Sequence, residues 1–161
     1  MTVLDTVIDK KALTLTFVTE FTAGVERVWQ LWEDPRQLER WWGPPTYPAT
    51  FHQHEFVEGG RTNYYMTSPE GEKYHGYWDL LTIDGPDTLT FRDGFANADG
   101  SPDPTLGTTT GVVTLEPVAT GTRMTIVSHF ESVEQLEKMA EMGMVEGMGL
   151  ALGQIDEILA A

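Results

Sequence analysis

Residues 132–161, from Ser132 to Ala161, read SVEQLEKMAEMGMVEGMGLALGQIDEILAA, and the architecture turns on this stretch. Leu136, Met139, Ala140, Met144, Gly147, Met148, Ala151, Leu152, Ile155 and Leu159 recur at spacings of three and four. Glu137, Lys138, Glu141, Glu146, Asp156 and Glu157 take most of the other side. That periodicity predicts one long amphipathic helix. Ser132 suits its N-cap, and Gln135 stands where a capping box places its reciprocal partner. Such a helix needs an apolar surface to lie on.

The rest of the chain supplies that surface. Leu13, Leu15, Phe17, Thr19 and Phe21 alternate with polar or smaller residues, the pattern of a strand with one buried face. Thr22 offers a cap for a short helix over 23–33, with Val25, Val28, Trp29 and Trp32 at helical spacing. Pro35 opens a second short helix that runs through Leu38, Trp41 and Trp42. From 46 to 130 strands alternate with turns: 47–56, 61–67, 73–83, 88–95, 108–116 and 122–130. They are punctuated by Gly59-Gly60, Pro69-Glu70-Gly71, Gly85-Pro86 and Gly121. Short connections between neighbouring strands imply an antiparallel meander. Residues 97–107, rich in Gly, Pro and Asp, predict a long mobile loop. The expected fold is therefore α+β: a curved antiparallel sheet wrapped around a long C-terminal helix, with two short helices after the first strand.

Composition narrows the function classes. Ten Lys and Arg stand against 25 Asp and Glu, a net charge of −15 in 161 residues. That argues against nucleic acid and against an anionic membrane surface as partners. With 40% hydrophobic residues the chain has material for a core, and with no cysteine it has neither disulfides nor thiol chemistry. Residues 1–161 are expected to form one domain, 1–10 loosely ordered, as a cytoplasmic monomer or weak homodimer.

Several motifs occur together in order. Val28-Trp29 precedes Asp34-Pro35, and Leu38-x-x-Trp41-Trp42-Gly43-Pro44 follows. Next come Gly59-Gly60-Arg61, Met66, Pro69, Gly71 and Gly76-x-Trp78, then Gly121-Thr122-Arg123-Met124-Thr125. Met142-Gly143-Met144-x-Glu146-Gly147 and Gln154-Ile155-Asp156-Glu157-Ile158-Leu159 close the set. Over residues 13–160 the sequence resembles the C-terminal-type domain of the heat-shock protein 90 ATPase activator family, within the START/Bet v 1-like helix-grip superfamily (SRPBCC). It departs in having Ala23-Gly24 where the family often has Ala-Pro. The resemblance implies a helix-grip fold. It also implies a protein that binds a lipid-like or aromatic molecule, or one that touches a chaperone. Polyketide cyclases and hydratases share the superfamily.

No catalytic or metal constellation stands out, and no cofactor is expected. His52 and His54 are two apart on a strand and so are expected to share a face, which supplies too few ligands for zinc. His75 reads as structural. If the chain is an enzyme, His75, Glu55 or Asp93 would have to lie inside the fold. Gly143, Gly147, Gly149 and Gly153 are an expensive choice in a helix, at about 1 kcal/mol each relative to alanine. Either the backbone packs closely on the sheet, or the missing side chains leave room for a ligand, with Met142, Met144 and Met148 adapting around it. The leading expectation is a small apolar or amphipathic ligand held between sheet and helix. Its candidate contacts are Trp41, Trp42, Tyr64, Met66, Trp78, Phe91, Met144, Met148 and Leu152, with Trp41 packed inward and Trp42 nearer the rim. Tyr64 and Trp78 lead because each joins a large apolar body to a hydrogen-bonding tip.

Overall fold

The computed structural model describes residues 2–160. Strands β1 (Thr2–Asp9), β2 (Thr14–Phe21), β3 (Ala49–His54), β4 (Arg61–Thr67), β5 (Lys73–Asp84), β6 (Thr88–Ala96), β7 (Pro102–Val118) and β8 (Gly121–His129) form one antiparallel sheet in the order β1-β2-β8-β7-β6-β5-β4-β3. Helices α1 (Val25–Glu33) and α2 (Pro35–Leu38) follow β2. Helices α3 (Val133–Glu141), α4 (Met144–Leu152) and α5 (Ile155–Ala160) end the chain. This is the helix-grip arrangement that the sequence predicts, with four corrections.

The first is an added strand. Residues 2–9 are not loose but pair with β2, and the turn between them is held by Asp9 Oδ1, which accepts from Lys11 N and Ala12 N at 3.0 Å each. In this edge strand residues 5–9 are all exposed, Val7 and Ile8 included, so they carry no buried face that would imprint an alternation on the sequence.

The second concerns residues 97–107, which form no long loop. Only 97–101 turn. Pro102 pairs with Ala96 and Asp103 with Phe95, and residues 104–107 bulge out before Thr108 rejoins Gly94. Asn97, Asp99 and Asp103 hold the segment with local side-chain hydrogen bonds, the means by which such residues build turns.

The third is that the C-terminal helix breaks twice. Gly143 takes φ +87°, a left-handed conformation that ends α3 and starts α4, and a second break at Gly153–Gln154 separates α5. Ser132 caps α3 as expected, accepting from Gln135 N at 3.0 Å. The Gln135 amide reaches Glu131 N rather than the cap residue's own N–H. The fourth is the start of α1, where Gly24 is the N-cap and Thr22 is not used.

The core is aromatic. Trp32, Trp41 and Trp78 are fully buried, with Phe17, Phe51, Phe91 and Leu152 around them. Trp32 Nε1 donates to Met124 Sδ at 3.4 Å and Trp41 Nε1 to Leu31 O at 3.0 Å. The buried N–H groups of Trp32 and Trp41 are thereby satisfied.

Candidate functional site

Alternation along the strands determines which side chains face the helices. In β4, Thr62, Tyr64 and Met66 point inward. In β5, Gly76, Trp78 and Leu80 do so. Tyr77 lies on the outer face beneath the Arg61 guanidinium, 4.8 Å from its ring centre. Register then carries the inner face into β6: Gly76 pairs with Phe95, Trp78 with Asp93 and Leu80 with Phe91. An acidic residue thus stands in the apolar row between Phe91 and Phe95.

Gly76 makes the arrangement work. A Cβ there would lie 2.5 Å from Tyr64 Cζ and 2.6 Å from its hydroxyl oxygen, so the tyrosine ring can lie across β5 only over a glycine. It reaches Asp93 and donates its hydroxyl to Oδ1 at 3.4 Å. Asp93 keeps part of its surface, yet its carboxyl is enclosed deeply enough that desolvation pushes its pKa up to about 7, against the opposing pull of the Tyr64 hydrogen bond. Tyr64 is driven well above its ordinary value, first by burial and then by the adjacent Asp93 charge.

Two further polar tips converge here. The indoles of Trp42 and Trp78 cross at 4.8 Å in a T-shaped contact, and Trp42 lies 6.3 Å from the Tyr64 ring. Both N–H groups favour the ionised Tyr64 hydroxyl, but neither Nε1 closes a hydrogen bond and both are fully buried. A buried donor without a partner costs on the order of 1–3 kcal/mol. The inner face therefore holds two unsatisfied donors beside a tyrosine–aspartate pair.

The expected contact residues divide into two groups. Trp41, Trp42, Tyr64, Trp78 and Phe91 form one ring network, with Trp78 stacked on Phe91 at 4.3 Å and Phe51 stacked on Tyr64 at 4.9 Å. With Leu152 they fill the space between sheet and helices, so Trp42 is buried rather than at a rim. Met66, Met144 and Met148 are half-buried around that core. Met144 lies apart from the ring network, bordering a cleft with Ile8, Leu15, Phe130 and Leu136 that is too narrow to admit a water molecule.

The glycines of α4 are not explained by close packing. A Cβ at Gly143, Gly147 or Gly149 would meet nothing within 4 Å. At about 100° per residue, Gly147 and Gly149 stand on either side of Met148, so both flanks of α4 beside Met148 lack side chains. The helix is anchored at its far end. Gln154 Nε2 donates to Gly43 O at 2.6 Å and to Trp41 O at 3.3 Å, tying the α4–α5 junction to the Trp41–Pro44 segment.

The histidines are set by a bulge. An irregularity between Phe51 and Gln53 turns His52 outward, against Tyr65, and His54 inward, so the two do not share a face. His54 Nε2 donates to Trp32 O at 2.9 Å, leaving Nδ1 to accept from Thr62 Oγ1 at 2.8 Å. Desolvation holds its pKa below the ordinary value. His75 lies on the outer face beside Tyr65, and Glu55 is exposed, which leaves Asp93 as the one inward-facing acid of the three residues singled out from the sequence. Among the described residues no three His, Cys, Asp or Glu side chains could jointly hold a metal ion, and no helix is long and apolar enough to cross a membrane.

Comparison with known proteins matches this framework. The family model described as activator of Hsp90 ATPase homolog 1-like protein matches residues 22–160. A solution NMR structure of a protein from Arthrobacter aurescens is 57% identical with a TM-score of 0.94, the alignment covering 99% of this chain and 92% of the other. A crystal structure of a Mycobacterium smegmatis protein is 46% identical with a TM-score of 0.91, covering 98% and 97%. An AHSA1 protein from Silicibacter pomeroyi shares the fold at 21% identity and a TM-score of 0.73, covering 91% and 97%. No curated protein matches the chain. The matched span runs from the end of β2 through α5 and includes Trp42, Tyr64, Trp78 and Asp93, and on that basis the chain belongs to the activator of Hsp90 ATPase homolog 1-like family.

Proposed function

We propose that this protein binds a small amphipathic molecule between the inner face of the sheet and α4, with Tyr64, Asp93, Trp42 and Trp78 receiving its polar end. The observation that carries this reading is the pair of buried indole N–H groups left without acceptors beside an enclosed carboxyl. A ligand oxygen accepting from Trp42 Nε1 and Trp78 Nε1 would offset the desolvation penalty of these two donors. The aromatic network supplies an apolar wall for the rest of the molecule.

The packed interior sets a condition on binding. A ligand reaches these donors only if α4 moves, and α4 is bounded by the left-handed Gly143 and by the break at Gly153–Gln154. Those breaks suit a segment that shifts as a unit on two hinges. No step of catalysis is assigned to Asp93.

Native mass spectrometry of the purified protein, followed by titration with 1-naphthol read by tryptophan emission, tests the reading. Saturable quenching that weakens in Tyr64→Phe with Asp93→Asn, or a co-purified mass lost on gentle unfolding, supports it. A linear, unsaturable response together with a bare protein mass overturns it.

A further inference from the structure

On the far side of α1 from the core, the helix, the β3–β4 connection and the β5–β6 turn enclose an open groove of about 480 Å³. It is lined by Glu26, Trp29, Gln30, Glu33, Phe56, Ile83, Gly85 and Pro86. Its size lies within the range of small-molecule sites. The proposal below is independent of the ligand site described above.

The two walls differ in chemistry. Glu26, Gln30 and Glu33 follow one another at four and three residues, so they form one polar stripe along α1. Its two carboxylates stand about 10 Å apart at the helical rise. Phe56, Ile83 and Pro86 make the apolar wall, and Glu58 braces it by accepting from Ile83 N at 3.0 Å.

Three observations describe what would fit. First, no Lys or Arg lines the groove, and among the described residues neither Glu26 nor Glu33 makes an ion pair. Second, Glu33 sits in the last turn of α1, where the helix dipole disfavours a carboxylate, and that turn contains no basic residue to offset it. Third, Trp29 is only 7% exposed and its ring lies against the Gly85 backbone. Its Nε1 nonetheless has no hydrogen-bond acceptor among the described residues and is not sealed in the interior. The carboxylates call for ammonium groups, the indole N–H, open to solvent at the groove, offers a donor to an oxygen, and the Phe56–Pro86 wall suits a compact C–H surface. A simple polyamine would leave that donor unused, because its protonated nitrogens accept nothing.

We propose that the groove between α1 and the β5–β6 turn binds a cationic saccharide, an amino sugar of one or two rings. Its ammonium groups pair with Glu26 and Glu33, a ring or hydroxyl oxygen accepts from Trp29 Nε1, and the Gln30 amide hydrogen-bonds a neighbouring hydroxyl. The ring C–H face lies on Phe56 and Pro86.

The test uses the whole protein and three probes: the β-1,4-linked glucosamine dimer, its N-acetylated counterpart and 1,4-diaminobutane. Binding is followed by calorimetry and by the Trp29 indole N–H resonance. The expected result is saturable binding of the glucosamine dimer with a shift of that resonance, and little response to the other two. Glu26→Gln and Glu33→Gln, both at exposed positions, each weaken it about tenfold, and Trp29→Phe, which keeps an aromatic side chain but removes the N–H, weakens it about threefold. Equal binding of the acetylated dimer removes the role of the carboxylates, and equal binding of the diamine removes that of the sugar. Shifts scattered over the acidic surface, or unchanged affinity in both glutamate variants, also overturn the proposal.

Discussion

Replacing Asp93 with asparagine isolates the energetic consequence of enclosing one carboxyl in an apolar row. Burial raises the Asp93 pKa from 3.8 to about 7, so the folded state holds this proton more tightly than the unfolded chain does. Below about pH 4 both states are protonated and the site costs nothing. As pH rises from 4 to 7 the unfolded chain ionises first and stability falls. Above 7 the full difference applies. A displacement of about 3 pK units corresponds to about 4 kcal/mol, a ceiling because Asp93 keeps some exposed surface. Asparagine preserves the shape and the acceptor for Tyr64 but cannot ionise. Its extra N–H group adds an offset that does not depend on pH, so the slope carries the information. Between pH 5 and pH 8.5 the stability of Asp93→Asn relative to the parent should improve by about 3 kcal/mol, or roughly 5–10 °C in Tm. Urea unfolding followed by tryptophan emission at the two pH values measures it, with the m-value checked for constancy. A difference that stays flat across that range, or one that grows in the parent's favour, would refute the reasoning about Asp93.

Three further predictions follow from the same geometry. Gly76→Ala forces a methyl against the Tyr64 ring and should cost about 1–3 kcal/mol, and in a double-mutant cycle with Tyr64→Ala most of that cost should vanish. Gly147→Ala and Gly149→Ala should each stabilise by about 0.5–1 kcal/mol because nothing crowds the added carbon, whereas Gly143→Ala should destabilise by about 1 kcal/mol at φ +87°; thermal melts of the three variants distinguish them. Gln154→Ala removes the tie between α4–α5 and Gly43 and should cost about 1 kcal/mol, with faster amide exchange over residues 41–47 as the local signature.

Much of the fold was legible because its buried faces impose strict periods. The row Leu15, Phe17, Thr19, Phe21 alternates cleanly and its strand lies where the pattern puts it, and the turns at Gly59-Gly60 and Pro69-Glu70-Gly71 mark out the strand from Arg61 to Thr67. What escaped had no buried face to mark it. The strand β1 lies at an edge with both side chains of Val7 and Ile8 in solvent, and within 97–107 only Pro102 and Asp103 join the sheet, through backbone pairing that their side chains do not signal. The helix breaks were encoded in Gly143 and Gly153, but an apolar stripe continues across both, because the three pieces lie on one surface.

The candidate site was half visible. Tyr64 and Trp78 stand out as large residues with polar tips, and the structure joins them to Trp42 and Phe91. Asp93 was signalled only as one of three ionisable residues, with His75 and Glu55, that an enzyme of this kind would have to hold inside the fold. Its hydrogen bond to Tyr64 depends on cross-strand register and on the space over Gly76, which no local pattern specifies. The groove beside α1 was not legible at all. It joins three separate stretches of chain, and Glu26 and Glu33 in isolation look like any solvated helix face.

The indoles of Trp32, Trp41, Trp42 and Trp78 are linked through ring separations of 4.8–6.1 Å. At such distances their excited states mix, and light absorbed by one passes to the others before emission. The four therefore behave as a single chromophore at the centre of the fold. Its emission should be strongly depolarised, its circular dichroism should carry a coupled couplet, and both should respond to any event that moves α4. Trp29, packed edge-on against Phe56, lines the outer groove and adds a signal from there. One protein thus carries optical reporters of both its packed centre and its outer groove, without a label.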